Sequence, residues 1–166
     1  MAVTGSSLVD HIIEHEILGL DSSLSNLKVS DDILWVRDST RDKWLSSNRF
    51  NIFAARKGKT INGYLPLIDG LSSGVSSYRI IRPATIVAVA AHTKIAQTWT
   101  LRMRRNNTTI EIVSLSMVDS VGNHNTSTDV NLDEGDIVQF YANTSAFDGV
   151  KNVLVWAEIA WRNNNL

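Results

Sequence analysis

Residues 153–161 read "VLVWAEIAW", with Val153, Val155, Ala157, Ile159 and Trp161 alternating with Leu154, Trp156, Glu158 and Ala160. Side chains that alternate with a period of two stand on opposite faces of a β-strand. Both faces are apolar here, interrupted only by Glu158. A strand of an ordinary sandwich needs one apolar face, so the second must be covered too. Either the N-terminal part of the chain lies over it or another subunit does. The run "ATIVAVAA", residues 84–91, also lacks a polar face. Large exposed apolar patches are rare on monomers, so the expectation is a subunit interface made by Leu154, Trp156 and Ala160.

Working outward, strand signals recur along the chain. Ile33–Val36 is a short apolar run, and Phe50, Ile52 and Ala54 alternate with their neighbours up to a turn expected at Lys57-Gly58-Lys59. Tyr64–Ile68 is a further strand, pushed to a sheet edge by Pro66. Trp99, Leu101 and Met103 alternate with Thr98, Thr100, Arg102 and Arg104, as in a half-solvated antiparallel strand. Asn106-Asn107 turns into Ile110–Val113, and Ile137–Ala142 precedes the last strand. Turn signals every 8–12 residues or so predict an all-β fold, an antiparallel sandwich or barrel.

Composition narrows the function. The chain has 166 residues, 43% hydrophobic and 20% charged, a net charge of −1 and no cysteine. Such a chain folds as one globular domain, about 70% of its unfolded surface being buried. Disulfides, thiolate zinc sites and cysteine nucleophiles are excluded. The charge gives no strong pull toward nucleic acid or an anionic membrane. No apolar run reaches the ~20 residues of a membrane-spanning helix. The N-terminus lacks a basic region followed by an apolar run, so no signal peptide is expected.

Residues 1–31 differ in character from 32–166. Ser7-Leu8-Val9-Asp10 reads as a capping box, and Val9, Ile12, Ile13, Ile17 and Leu20 follow at helical spacing, with Gly19 as the stop and Asp21-Ser22-Ser23 as a turn. Leu24, Leu27 and Val29 lie in a polar linker. One short helix with one apolar stripe is not stable alone. It is expected to be an anchoring arm that docks either on its own β-domain or on another protein.

The stretch "LWVRDSTRDKWLSSNRF", residues 34–50, mixes charges of both signs around Trp44. Arg37, Asp38, Arg41, Asp42 and Lys43 can satisfy one another in a loop, with Trp44 as an aromatic plug and Arg41 or Arg49 stacked on it. Trp35, Asp38, Thr40, Arg41, Lys43, Trp44, Leu45, Ser46, Arg56 and Gly58 together resemble a cassette of bacteriophage and prophage virion proteins. Leu132, Gly135, Asp136 and Val138 in "VNLDEGDIVQFYA" are similar to the L-x-x-G-D-x-V strand start of trimeric C1q/TNF-like jelly rolls. The resemblance implies a homotrimeric jelly roll, 32–166, on the exterior of a phage particle assembled in the host cytoplasm.

Signals for chemistry are weaker. His11, Glu14 and His15 match H-x-x-E-H, and the two histidines at i and i+4 could share a zinc. The expected helix is too short and is followed by no cleft scaffold, so these residues read as the polar flank of a docking helix. Asp119, Asp129, Asp133, Glu134 and Asp136 lack EF-hand spacing. No catalytic residue, cofactor or metal is expected. The loop around Asn123, His124 and Asn125 reads as a polar tip, where sugar or receptor contact is expected. Two functions follow. One is a capsid decoration or cement protein, fixed to the major capsid protein or another virion protein by Val9, Ile12, Ile13, Ile17 and Leu20. The other is a receptor-binding tip of a fibre or baseplate that recognises a host-surface glycan.

Overall fold

The computed structural model describes residues 26–60, 62–67, 73–74, 77–106, 109–145 and 149–165. The expected N-terminal helix, with Val9, Ile12, Ile13, Ile17 and Leu20, lies outside the described residues, as do His11, Glu14 and His15. Among the described residues there is no α-helix. The strands are β1 (Leu27–Ser30), β2 (Ile33–Asp38), β3 (Lys43–Thr60), β4 (Gly63–Tyr64), β5 (Tyr78–Arg79), β6 (Ala84–Arg105), β7 (Glu111–Asn125), β8 (Val130–Leu132), β9 (Ile137–Asn143) and β10 (Val150–Asn163). They form one antiparallel sheet in the order β1-β2-β3-β10-β6-β9-β4, with β5 on β9 and β7 and β8 on β6. The all-β antiparallel expectation therefore holds.

The sheet curls because β6 changes partners along its length. Its first half, Ala84–Thr93, pairs with β10, while Thr100–Arg105 pairs with β9. Between them the ladder with β7 is irregular from His92 to Trp99. Such irregularities bend a strand and increase its twist. The two limbs of the sheet then close on one core. Val153, Val155, Ala157 and Ile159 of β10 and Ile86 and Val89 of β6 meet Leu101, Met103, Phe140 and Trp99 there. The residues read as one face of the last strand are thus the core face, apart from Trp161 at its edge, half-buried on Phe50. Met103 points inward as its alternation predicts, with no exposed surface.

Several local expectations are corrected. Leu27 and Val29, read as linker, belong to β1, which pairs with β2 across Asp31 and Asp32. Both aspartates have positive φ, 54° and 60°, as a two-residue hairpin turn of primed type requires. Lys57-Gly58-Lys59 does not turn the chain but continues β3 to Thr60. Gly58, at φ 83°, absorbs an irregularity opposite Asn152, whose Oδ1 accepts its N–H at 3.0 Å. Of the strand expected over Tyr64–Ile68, the described residues form Gly63–Tyr64, and Ile68 lies outside them. Pro66 has no N–H to give to a ladder, and its carbonyl instead accepts the amide of Ala55 at 3.0 Å.

Candidate assembly face

Residues paired across an antiparallel ladder share a face. The register therefore builds one row from Phe53 of β3, Trp156 of β10, Ala90 of β6 and His124 of β7. A second row is Ala55, Leu154, His92 and Gly122. A third is Asn51, Glu158 and Ala88. All lie on the outer side of the first limb, opposite the core. Leu154 is 42% exposed and Trp156 36%. The other tryptophans are buried or half-buried, so Trp156 is the exposed indole of the chain. Beside it lies a shallow hollow of about 430 Å³, floored by Ala90 and Gly122 and walled by Trp156, His92 and His124. Small residues are required here. A Cβ on Gly122 would sit 2.8 Å from the carbonyl oxygen of Ala91 and 3.3 Å from Nδ1 of His92. The rim is polar, with Arg49 and Glu158 forming an ion pair at 3.5 Å.

Ala160, the third residue expected at the interface, is placed differently from the other two. It has no exposed surface and packs with Leu45 and Val87 of its own chain. A shift in register beyond Glu158 in the β10–β6 ladder separates it from the Leu154–Trp156 patch. Asn123, His124 and Asn125 are exposed but do not form a loop tip; they end strand β7 and pair with β6 at Ala91, Ala90 and Val89. The alternation in "SVGNHN" is hidden by polar side chains on both faces, so its strand character left no hydrophobic signal.

The charged cassette lies at the other end of the same limb and acts as a clamp. Asp38 accepts the amides of Thr40 at 3.1 Å and Arg41 at 3.0 Å, fixing the β2–β3 turn. The Arg41 guanidinium donates to Asp38 Oδ2 at 2.6 Å and to three carbonyls: Thr128 at 2.8 Å, Val87 at 3.0 Å and Thr126 at 3.1 Å. Burial pushes the Asp38 carboxyl up, but hydrogen bonds from the Arg41 side chain and amide, its charge, and the Thr40 amide outweigh that and hold it below the usual carboxylate range. Arg37 pairs with Asp42 and Lys43 with Asp129. Trp44 is the expected plug, 7% exposed, but its stacking cations are Lys28 at 4.8 Å and Arg37 at 5.8 Å, not Arg41 or Arg49. Ser46 is buried, and its hydroxyl accepts the amide of Trp161 at 3.0 Å where the β3–β10 register slips. Arg37, Asp38, Arg41, Asp42, Lys43 and Arg49 are thus all paired within the chain, which is structural work.

Among the described residues no three His, Cys, Asp or Glu side chains group where a metal ion could be held. Asp136 is a turn residue, accepting the Asp133 amide and the Asn106 side chain, both at 2.8 Å, before β9. No family model matches the chain, and no curated protein matches it. Among solved structures the chain is similar to the globular domain of zebrafish complement 1qA protein, at 14% identity and a TM-score of 0.37, over 69% of this chain and 98% of that one.

Proposed function

We propose that the protein is a non-catalytic structural module that assembles as a homotrimer of jelly-roll domains through the Leu154–Trp156 face. The observation that carries this reading is the exposed Trp156 indole standing beside a hollow floored by Ala90 and Gly122 on the same face. A knob and a hollow side by side favour a contact in which each copy inserts Trp156 into the next. Contacts of that head-to-tail kind close into a ring when the rotation between copies closes, and a threefold rotation gives a trimer. Phe53, Ala55, Leu154 and Ala90 supply the apolar centre, and the Arg49–Glu158 pair a polar rim. The cassette from Trp35 to Gly58 supports a virion setting by its resemblance to phage structural proteins. In that setting the trimer decorates the capsid exterior, with Val9, Ile12, Ile13, Ile17 and Leu20 as the anchoring stripe. The test is sedimentation velocity at micromolar concentration. Wild type should run as a trimer and Trp156→Asp as a folded monomer; a monomeric wild type would sink the proposal.

A receptor-binding role is favoured by one separate feature. Asn123, His124 and Asn125 are exposed at the end of β7; Asn123 and His124 line the hollow of the proposed contact, while Asn125 lies outside that lining and stays accessible in a trimer. Retention of the protein by host-cell glycans, lost in Asn125→Ala, would mark this role.

A further inference from the structure

The second limb of the sheet carries its own feature on the side away from the core. Arg102 and Arg104 of β6 stand opposite Tyr141 and Gln139 of β9, and Tyr141 is paired with Tyr64 of β4. The guanidinium of Arg104 lies 3.7 Å from the centre of the Tyr141 ring and 5.5 Å from that of Tyr64. The two rings meet edge to face at 5.2 Å. Arg104 donates Nη1 to the Tyr64 hydroxyl at 3.4 Å, while its Nε is shielded and has no hydrogen-bond partner.

Charge pairing singles this arginine out among the described residues. Arg37, Arg41, Arg102, Arg105 and Arg162 are half-buried, and they hold Asp42, Asp38, Glu111, Asp136 and Asp133 respectively. Arg104 is likewise half-buried and holds none of the described carboxylates. Arg56, Arg79 and Arg82 also lack one, but they are exposed and solvated. A partly desolvated cation without a counter-charge is unfavourable unless something anionic completes it. Aromatic faces compensate in part, and they also fix the plane of the guanidinium. A guanidinium whose plane is fixed and whose remaining N–H donors are unused is a fork for a carboxylate, sulfate or phosphate oxygen pair.

We propose that Arg104, caged by Tyr64 and Tyr141, is a binding site for an oxyanion group. The site is on the other limb of the sheet from Trp156, so it does not depend on assembly through that face. The same chemistry is presented by a free inorganic anion or by an acidic saccharide, whose ring could lie against the tyrosines.

Isothermal titration of the full chain at constant ionic strength tests this with sodium sulfate, glucose 6-sulfate and glucuronic acid, with glucose as the neutral control. Saturable binding of one sulfate per chain is expected, and no binding of glucose. Sugar acids binding about tenfold tighter than sulfate would identify a saccharide ligand; equal affinities would identify the free anion. Arg104→Gln should weaken binding at least about tenfold, and Arg104→Lys by less, since it keeps the charge but not the fork. Arg56→Gln, which removes an exposed unpaired cation elsewhere, should leave affinity within about twofold. Circular dichroism confirms that each variant is folded, and Arg104→Lys serves if Arg104→Gln is not. The proposal is overturned if sulfate and both sugar acids fail to saturate, if neither Arg104 variant weakens binding, or if Arg56→Gln weakens it as much as Arg104→Gln.

Discussion

Arg41→Ala should be among the most destabilising single substitutions outside the core. Arg41 is half-buried, its side chain 12% exposed, and it joins three separate stretches: the β2–β3 turn through Asp38, β6 through the Val87 carbonyl, and the β7–β8 connection through Thr126 and Thr128. Hydrogen bonds to a charged donor are each worth about 1.5–3 kcal/mol net, but those sharing one guanidinium do not add. Removing one partner of a mostly buried ion pair costs about 3–5 kcal/mol, because the other charge stays behind uncompensated. Asp38, with its side chain 17% exposed, would be that stranded charge. The loss expected is therefore about 3–5 kcal/mol, which for a domain of this size lowers Tm by roughly 10 °C. Urea unfolding followed by circular dichroism measures it directly. Arg41→Lys should recover part of the loss, since an ammonium can keep Asp38 but cannot reach all the carbonyls at once. A loss below about 1 kcal/mol in Arg41→Ala would refute the clamp, whatever the cassette resembles.

Other outcomes follow from the same contacts. Asp38 is held below the usual carboxylate range, so its contribution is present above the unfolded-state pKa of about 3.9 and is lost as pH falls through the lower folded value. Asp38→Asn should accordingly flatten the acid side of a stability–pH curve, and an unchanged curve would contradict the pairing. Ser46→Ala leaves the Trp161 amide without its 3.0 Å acceptor in a half-buried setting and should cost about 1 kcal/mol in urea unfolding. Gly122→Ala drives a Cβ to 2.8 Å from the Ala91 carbonyl, so the β6–β7 ladder must separate, and a loss of about 1–3 kcal/mol is expected by the same assay. A chain starting at residue 26 should stay folded, because it keeps every strand of the described sheet, β1 at Leu27 onward. One starting at residue 32 loses β1, the Lys28 cation over Trp44 and the Ser30 carbonyl that accepts Trp35 Nε1 at 3.2 Å, and it should melt lower.

The elements legible in the sequence were those whose apolar residues alternate. Val153, Val155, Ala157 and Ile159 announce a core strand because one face is uninterrupted, and Trp99, Leu101 and Met103 do the same for the second half of β6. What stayed hidden depends on pairing rather than pattern. The end of β7 is polar on both faces, so only its ladder with Val89–His92 shows that Asn123–Asn125 is strand. Ala160 looked equivalent to Trp156 because strict period-two alternation puts both on one face. A register slip in the ladder, which no single strand can reveal, buries Ala160 with Leu45 and Val87. The Arg104 cage was invisible for a similar reason. Tyr64, Arg104 and Tyr141 are distant in sequence and meet because β9 lies between β6 and β4. Cassette residues behaved oppositely: Asp38 and Arg41 are close in sequence, so their pairing could be read directly, whereas the Lys28 and Arg37 cations over Trp44 and the partners of Arg41 beyond the turn could not. Local charge balance is thus written in the chain, while the make-up of the outer faces of the sheet is written in the order of the strands.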